Sequence, residues 1–315
     1  MKVCLQNTDI ANTGKGFFFE RLAAALRNIG VQIVSNLNHA HDISLQIARL
    51  KKTNTKRYVL RLDGVWHNTA MDYIAENKPI KEALSRADGV VYQSFFSKKI
   101  CDAYLKTSVE KSVVIPNGMC LDSTFDKREK KHKFVFVTAA RWRPQKRLSD
   151  IINSFILADV EDSILYVAGD VSKSGLSELD LKKLFNHPKI EYTGTVDQKT
   201  LLSYLKIADG FLHLSWIDFC PNSVVEAIAA KVPVITNNIG GTKELVEPSG
   251  GLVLPLDDEY DLEPCKLYEP PKIDHTIVAE AIWKCCDNKI RITNAHVDIN
   301  LIARKYKEFF EKCLM

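Results

Sequence analysis

The stretch from Ser215 to Gly241, SWIDFCPNSVVEAIAAKVPVITNNIGG, constrains this chain most, because it compresses a carboxylate pair, a helix start and a glycine pair into one βαβ-sized unit. The apolar run Gly210 to Leu214 reads as a strand, Pro221-Asn222-Ser223 as a helix opening, and Val232 to Thr236 as the next strand. Asp218 then lies on a loop leaving a strand, and Glu226 in the first turn of the helix that follows. In an open α/β sheet that edge, outside the carboxyl ends of the strands, is where ligands bind. Glu226 also has a purely structural explanation, since Ser223 and Glu226 have the S-x-x-E spacing of a capping box. Taken alone, capping is the simpler role. Asp218, eight positions before Glu226, and Gly240-Gly241 after the next strand give the same edge an affinity for anions and hydroxyls.

The rest of the chain alternates in the same way. Strands are predicted at Lys2 to Gln6, Val31 to Val34, Ile43 to Gln46, Tyr58 to Leu62, Gly89 to Tyr92, Ser112 to Ile115, Phe134 to Ala139, Ile164 to Ala168, Ile190 to Thr193 and Leu252 to Leu254, with helices between many of them. Alternating β and α implies parallel sheets. A chain of 315 residues exceeds one core, so two α/β domains are expected, over 1–120 and 133–297. Pro116-Asn117-Gly118 turns out of the first, and the mixed-charge run Asp126 to Lys133 reads as a solvated linker. An internal echo fits two similar halves: Ala87-Asp88-Gly89 and Ala208-Asp209-Gly210 each lead an apolar strand ending in Ser94 or Ser215. Shared turn chemistry alone also explains it, because Asp-Gly is common turn material.

Several strand ends carry polar residues. Gly14-Lys15-Gly16 stands as a loop between the first strand and a helix from about Phe17, the arrangement that turns backbone N–H groups to a phosphate, although Gly-x-Gly is equally an ordinary turn. Arg61 and Asp63 flank a strand end, where they read as surface residues or as a site edge, and His67 follows. Ala140 to Leu148 puts four cations, Arg141, Arg143, Lys146 and Arg147, into seven residues after a strand, which suits an anion site or a basic surface loop. Gly169 and the Gly194-Thr195-Val196 turn end further strands at the same edge and suit contacts to a base. The segment Pro255 to Asp274 is acidic and aperiodic and reads as a mobile surface loop.

These motifs together resemble the retaining glycosyltransferases of family 4, with the GT-B fold: two facing Rossmann-like domains, parallel sheets and an inter-domain cleft. That family has a Glu-x7-Glu motif before a proline-containing strand and a Gly-Gly turn; here it reads Asp-x7-Glu, with Asp218 in the first position. It also has Arg and Lys five apart in the loop that Arg141 and Lys146 occupy, with glycine often found where Arg147 stands. The resemblance implies transfer of a sugar from a nucleotide-diphosphate sugar with retention of anomeric configuration. Arg141 and Lys146 would grip the diphosphate, Glu226 the ribose, and Asp218, His67 and the loop from Phe219 through Cys220, Pro221, Asn222 and Ser223 the sugar. It further implies Gly14 and Gly16 opposite the phosphates, a last helix over 298–315 returning to the first domain, and no protein nucleophile.

Balanced charge, +4 with 26% charged residues, gives no sign of nucleic-acid binding. The N-terminus does not read as a signal peptide and no run approaches the ~20 apolar residues of a spanning helix. The eight cysteines contain no C-x-x-C pair, so free thiols in a reducing, cytoplasmic setting are expected. No carboxylate arrangement calls for a metal, and metal-independent activity is expected without a cofactor. A nucleotide sugar is the expected partner; the acceptor is open among glycan, lipid and protein, a lipid acceptor being compatible with peripheral membrane contact. Competing readings are a non-turnover nucleotide-sugar-binding module, a GT-B sugar-nucleotide epimerase and a phosphorylase. The last two call for additional acids or a pyridoxal lysine in a pattern this sequence lacks.

Overall fold

Strands buried on both faces need near-continuous Val, Ile and Leu runs, and such runs here form two parallel sheets. The computed structural model describes residues 1–5, 14–55, 57–106, 109–121, 128–287 and 289–315. The chain divides into unit 1 (Met1–Leu121, Leu262–Cys265, Val297–Met315) and unit 2 (Asp122–Asp261, Lys266–His296).

Unit 1 runs β1 (Lys2–Leu5), α1 (Gly14–Asn28), β2 (Gln32–Val34), β3 (Ile43–Ile47), β4 (Tyr58–Leu62), α2 (Tyr73–Leu84), β5 (Gly89–Tyr92), α3 (Phe95–Leu105) and β6 (Ser112–Val114). Among the described residues its sheet has the order β2-β1-β3-β4-β5-β6. The helix α1 begins at Gly14, so Gly14 and Gly16 sit in its first turn and not in a loop ahead of it, a correction to the sequence reading. Unit 2 runs β7 (Phe134–Ala139), α4 (Leu148–Ala158), β8 (Ser163–Ala168), α5 (Glu178–Phe185), β9 (Ile190–Gly194), α6 (Gln198–Leu205), β10 (Gly210–His213), α7 (Asn222–Ala229), β11 (Val234–Asn237), α8 (Thr242–Val246), β12 (Leu252–Leu254) and α9 (His275–Cys286). Its sheet order is β12-β11-β10-β7-β8-β9. The last helix, α10 (Ile299–Leu314), belongs to unit 1. It packs Tyr306, Phe309 and Phe310 into the core that Phe18, Phe19 and Leu22 of α1 fill. It lies so close to β5 that a Cβ on Gly89 would fall 2.5 Å from Cys313 Sγ.

The internal echo is a shared building device. Asp88 accepts the Tyr58 amide at the start of β4 (2.8 Å) and Arg57 Nη1 (2.9 Å). Asp209 accepts the Val135 amide in β7 (2.7 Å) and Lys130 Nζ (2.7 Å). Each aspartate thus ties the turn before its own strand to the neighbouring parallel strand. The described part of the charged run is therefore no free linker: Lys130 pairs with Asp209, and the Arg128 guanidinium lies 4.1 Å from the Tyr204 ring centroid. Asp126 and Lys127 lie outside the described residues. All eight cysteines are free thiols, and among the described residues no helix is long and apolar enough to cross a membrane.

Two strand-ending glycines of unit 2 differ sharply. A Cβ on Gly169 (φ +115°) would lie 1.8 Å from the Ala140 carbonyl oxygen, whereas nothing stands within 4 Å of one on Gly194 (φ +68°). Gly169→Ala is expected to destabilise unit 2 by about 3 kcal/mol or more, through clash and backbone strain together. Gly194→Ala should cost only about 1–2 kcal/mol, the left-handed penalty alone. Urea unfolding of the two variants checks the difference.

Candidate functional site

Strand order reverses in unit 2 between β7 and β10, and at such a switch point the loops leaving the two strands part to open a crevice. Those loops are 140–147 and 214–221, which carry Arg141, Lys146 and Asp218. The first is pinned to the β8 tip by Trp142, which is buried and donates Nε1–H to the Ala168 carbonyl (2.9 Å) and its backbone N–H to the Asp170 carbonyl (2.9 Å). Pro144–Lys146 then form one 3-10 turn, and Arg147, at φ +56°, starts α4 from the left-handed region.

That single left-handed residue sends consecutive cations in different directions. Lys146 pairs with Asp218, and His213 Nε2 lies 3.4 Å from the same carboxylate oxygen. Arg147 is buried and makes a two-armed pair with the fully buried Asp257, Nη1 lying 2.8 Å from Oδ2, and donates also to the Pro271 carbonyl (2.9 Å). Asp257 further accepts Asn237 Nδ2 (2.9 Å), which reaches the Ser215 carbonyl (3.0 Å), while Asn238 exchanges two hydrogen bonds with the Asp257 backbone. The segment read as a mobile surface loop is thus anchored at both ends, at Asp257 and at Pro271. Its middle, Leu262–Cys265, belongs to unit 1, where Cys265 bridges Asn68. The glycine pair closes the arrangement: the Gly241 amide donates to the Asp218 carbonyl (2.8 Å), and a Cβ on Gly240 (φ +83°) would lie 2.7 Å from that oxygen.

The electrostatics follow. Burial opposes charge on Asp218, but Lys146 outweighs it and holds its carboxyl well below the usual carboxylate range. Burial lowers the pKa of His213 against the opposing pull of Asp218, which keeps the ring neutral at pH 7. A depressed carboxylate contributes stability above its unfolded pKa and loses it as pH falls through the folded value. The stability gap between wild type and Asp218→Asn should therefore be full at about pH 6 and shrink below about pH 4.

Glu226 corrects the capping reading. Helix α7 starts at Asn222 with Pro221 at its N-cap and no side-chain cap, so Glu226 falls in the second turn. It is buried and accepts Gln198 Nε2 at 2.6 Å. That bond brings it to the start of α6, two residues after Val196 and the Gly194 turn. Phe219 donates its amide to Asp218 Oδ1 (2.8 Å), Cys220 is buried, and Asn222 and Ser223 are half-buried at the α7 start. Arg141 is exposed on its loop and acts on the nearby Asp170. The Gly169 amide is engaged by the Gly194 carbonyl (2.8 Å), and its own carbonyl accepts Tyr192 Oη (3.0 Å).

The remaining sequence candidates, His67, Gly14 and Gly16, lie in unit 1. His67 is buried, with Nδ1 3.1 Å from the Val65 carbonyl, and burial lowers its pKa. Arg61 is no surface residue: it is 1% exposed, pairs with Asp63 and Asn117, and lies 4.6 Å from the Phe18 ring centroid. Sequence reasoning missed His213, Gln198 and Asp257. His213 sits on a strand that reads as apolar, and Asp257 in a stretch whose other acids are exposed. Among the described residues no three His, Cys, Asp or Glu side chains cluster as metal ligands.

Residues 122–262 match the family described as Glycosyl transferases group 1. The chain is 27% identical over 188 residues to an uncharacterized glycosyltransferase of Methanocaldococcus jannaschii, covering 55% of this chain and 46% of that one, so the match spans about half the length of the curated relative. Two solved structures resemble it throughout. One is a sucrose-phosphate synthase from Thermosynechococcus elongatus, with a TM-score of 0.72, 13% identity and coverage of 99% of this chain and 98% of that one. The other is HepE of Anabaena in complex with UDP, at 0.68 and 16%, covering 99% and 100%. The same Anabaena protein is also solved with UDP-glucose. These likenesses show the fold, two Rossmann-like α/β units of the GT-B type.

The Arg147–Asp257 pair makes a sharp prediction. Arg147→Met leaves a buried carboxylate unpaired and should destabilise unit 2 by about 3–5 kcal/mol. Arg147→Met/Asp257→Asn should recover at least about half of that loss, because the uncompensated charge is gone. Denaturant titration of the single and double variants measures both.

Proposed function

We propose that this protein transfers a sugar from a nucleotide-diphosphate sugar to an acceptor, with retention of anomeric configuration. One observation carries the proposal: Lys146 and Asp218 meet at the switch point of unit 2, inside the stretch that matches the glycosyl transferases group 1 family. A cation beside a hydroxyl-binding carboxylate at a helix start is what a donor's diphosphate and sugar require together. Complexes of the structurally similar Anabaena protein with UDP and UDP-glucose support the nucleotide-sugar class.

In this reading Lys146, Arg141 and the amides opening α7 at Asn222 and Ser223 take the charge that develops on the leaving diphosphate. Each such contact is worth roughly 1.5–3 kcal/mol, and removing a donor from a developing anion costs about 10²-fold or more in rate. Asp218 and the loop through Phe219, Cys220 and Pro221 hold sugar hydroxyls. Glu226 accepts the ribose hydroxyls, with Gln198 orienting it. Gly169, Gly194 and Val196 lie beside the base. In unit 1 the proposal assigns His67 to the transferred sugar and the α1 start, with Gly14 and Gly16, to the phosphates. No side chain is assigned as nucleophile; the departing phosphate oxygen assists the acceptor hydroxyl, which accounts for retention. The reaction is proposed to need neither metal nor cofactor.

A panel of UDP-, GDP- and ADP-sugars tests the donor site by melting temperature, since ligand at 100 times its Kd adds about 2.7 kcal/mol. One member is expected to stabilise the protein and to release nucleotide when acceptors are supplied, undiminished by EDTA. Stabilisation by none would contradict the proposal, and stabilisation without turnover would favour a binding module. Lys146→Ala and Glu226→Ala should each lower transfer about 10²-fold or more with the fold intact. Unfolding of Glu226→Ala with unaltered nucleotide affinity would instead make that residue structural.

A further inference from the structure

Of the buried titratable groups to which the donor-site reading gives no task, His213 stands at the site itself. His213, on β10, is 5% exposed, and its Nε2 has no hydrogen-bond partner among the described residues, yet it faces Asp218 Oδ2 at 3.4 Å. The neighbouring strands offer it no charge. Thr138 of β7 donates its hydroxyl to the Leu212 carbonyl and Thr236 of β11 to that of His213 itself, both at 2.8 Å. The charged groups acting on the ring are Asp218, from the β10–α7 loop, and Lys146, from the turn before α4. Without ligand the cluster is balanced: one ammonium, one carboxylate and a neutral imidazole.

A bound diphosphate would break that balance twice. It competes with Asp218 for Lys146, and it adds negative charge near the ring; both changes favour imidazolium. We propose that His213 is a positioning residue that takes up a proton when a nucleotide diphosphate binds and replaces Lys146 as the partner of Asp218. The proton comes from solvent and goes to Nε2, no bond between heavy atoms forms or breaks, and the three side chains pass from net charge 0 to +1 against the incoming anion. Lys146 is thereby freed for the phosphates while Asp218 stays ionised and aimed at the sugar. The inference rests on the donor-site reading. It explains why a histidine is tolerated on a central strand, and how one lysine serves both a carboxylate in the empty site and a phosphate in the filled one.

The sign of the linkage is fixed. If the complex raises the pKa of His213 above its value in the free protein, protonation favours binding, and affinity falls as pH rises between the two values. Phosphates drawn to cations release protons, so titration of the nucleotide itself has the opposite sign.

Calorimetric titration of the full chain with UDP, GDP and ADP, at about pH 7.5 in PIPES and in Tris, measures proton uptake directly. Wild type should take up about 0.3–1 proton per nucleotide bound. Its affinity should fall about three- to tenfold between pH 6.5 and 8. His213→Gln should bind with no uptake and less than about a twofold fall over the same range. Asp218→Asn, which removes the carboxylate that holds the imidazolium, should also show none and carries the comparison if His213→Gln fails to fold. Binding by wild type without uptake, or uptake that persists in either variant, would overturn the inference and leave the donor site standing. Binding of none of the three nucleotides would sink the donor-site reading, and this inference with it.

Discussion

Two adjacent cations shared between two aspartates hold the candidate site of unit 2 together. Lys146 and Arg147 follow one another in the chain yet serve Asp218 and Asp257 on different loops, because Arg147 takes a left-handed backbone. That conformation costs a non-glycine residue about 1–2 kcal/mol. The two-armed contact with a fully buried carboxylate offsets it. A positive φ is the conformation glycine adopts most readily. In this chain the side chain gained at that position ties the loops after β7, β10, β11 and β12 into one network through Asp257 and Asn237.

The two units share a plan and differ where chemistry is placed. In both, an Asp-Gly turn fastens the start of a strand to its neighbour, through Asp88 in one and Asp209 in the other. After β5 the chain enters helix at once, with Ser94 as N-cap accepting the Ser97 amide at 3.0 Å. After β10 the equivalent Ser215 is buried on the strand end, and Trp216 to Pro221 intervene before α7. Asp218 lies in that insertion. An ordinary strand-to-helix connection, lengthened by a few residues at a switch point, is what presents the carboxylate beside Lys146.

Most of this architecture was legible because periodicity and turn chemistry are local. The strands at Tyr58–Leu62, Gly89–Tyr92 and Phe134–Ala139 fall where the pattern puts them. The helix opening at Pro221 to Ser223 was placed correctly, but the start at Gly14 was not, since a glycine pair reads as a loop, and S-x-x-E reads as a cap even where the helix has already begun at Asn222. What lies out of sequence reach is pairing across the chain. Nothing near Asp257 marks it as the counter-ion of a residue 110 positions away, and Pro255 to Asp274 read as a loose loop for that reason. Likewise Arg61 looks like a surface residue on its strand until Asn117, Asp63 and the Phe18 ring surround it. His213 escaped notice because a lone polar residue in an apolar strand has no local signature.

In the proposed donor site, the cation is in place before its anion arrives. Lys146 is held in place by Asp218, so little side-chain entropy would remain to be lost if a phosphate took it over. Glu226, held by Gln198 beside the Gly194 turn, is prepared in the same manner at the other end of the site. The central claim, that these two ends grip one nucleotide, is tested most directly by a crystal structure of the full chain with the nucleotide that stabilises it. The account predicts the diphosphate against Lys146 and the ribose hydroxyls on Glu226. A nucleotide bound elsewhere, with Lys146 and Glu226 still holding only Asp218 and Gln198, would contradict it.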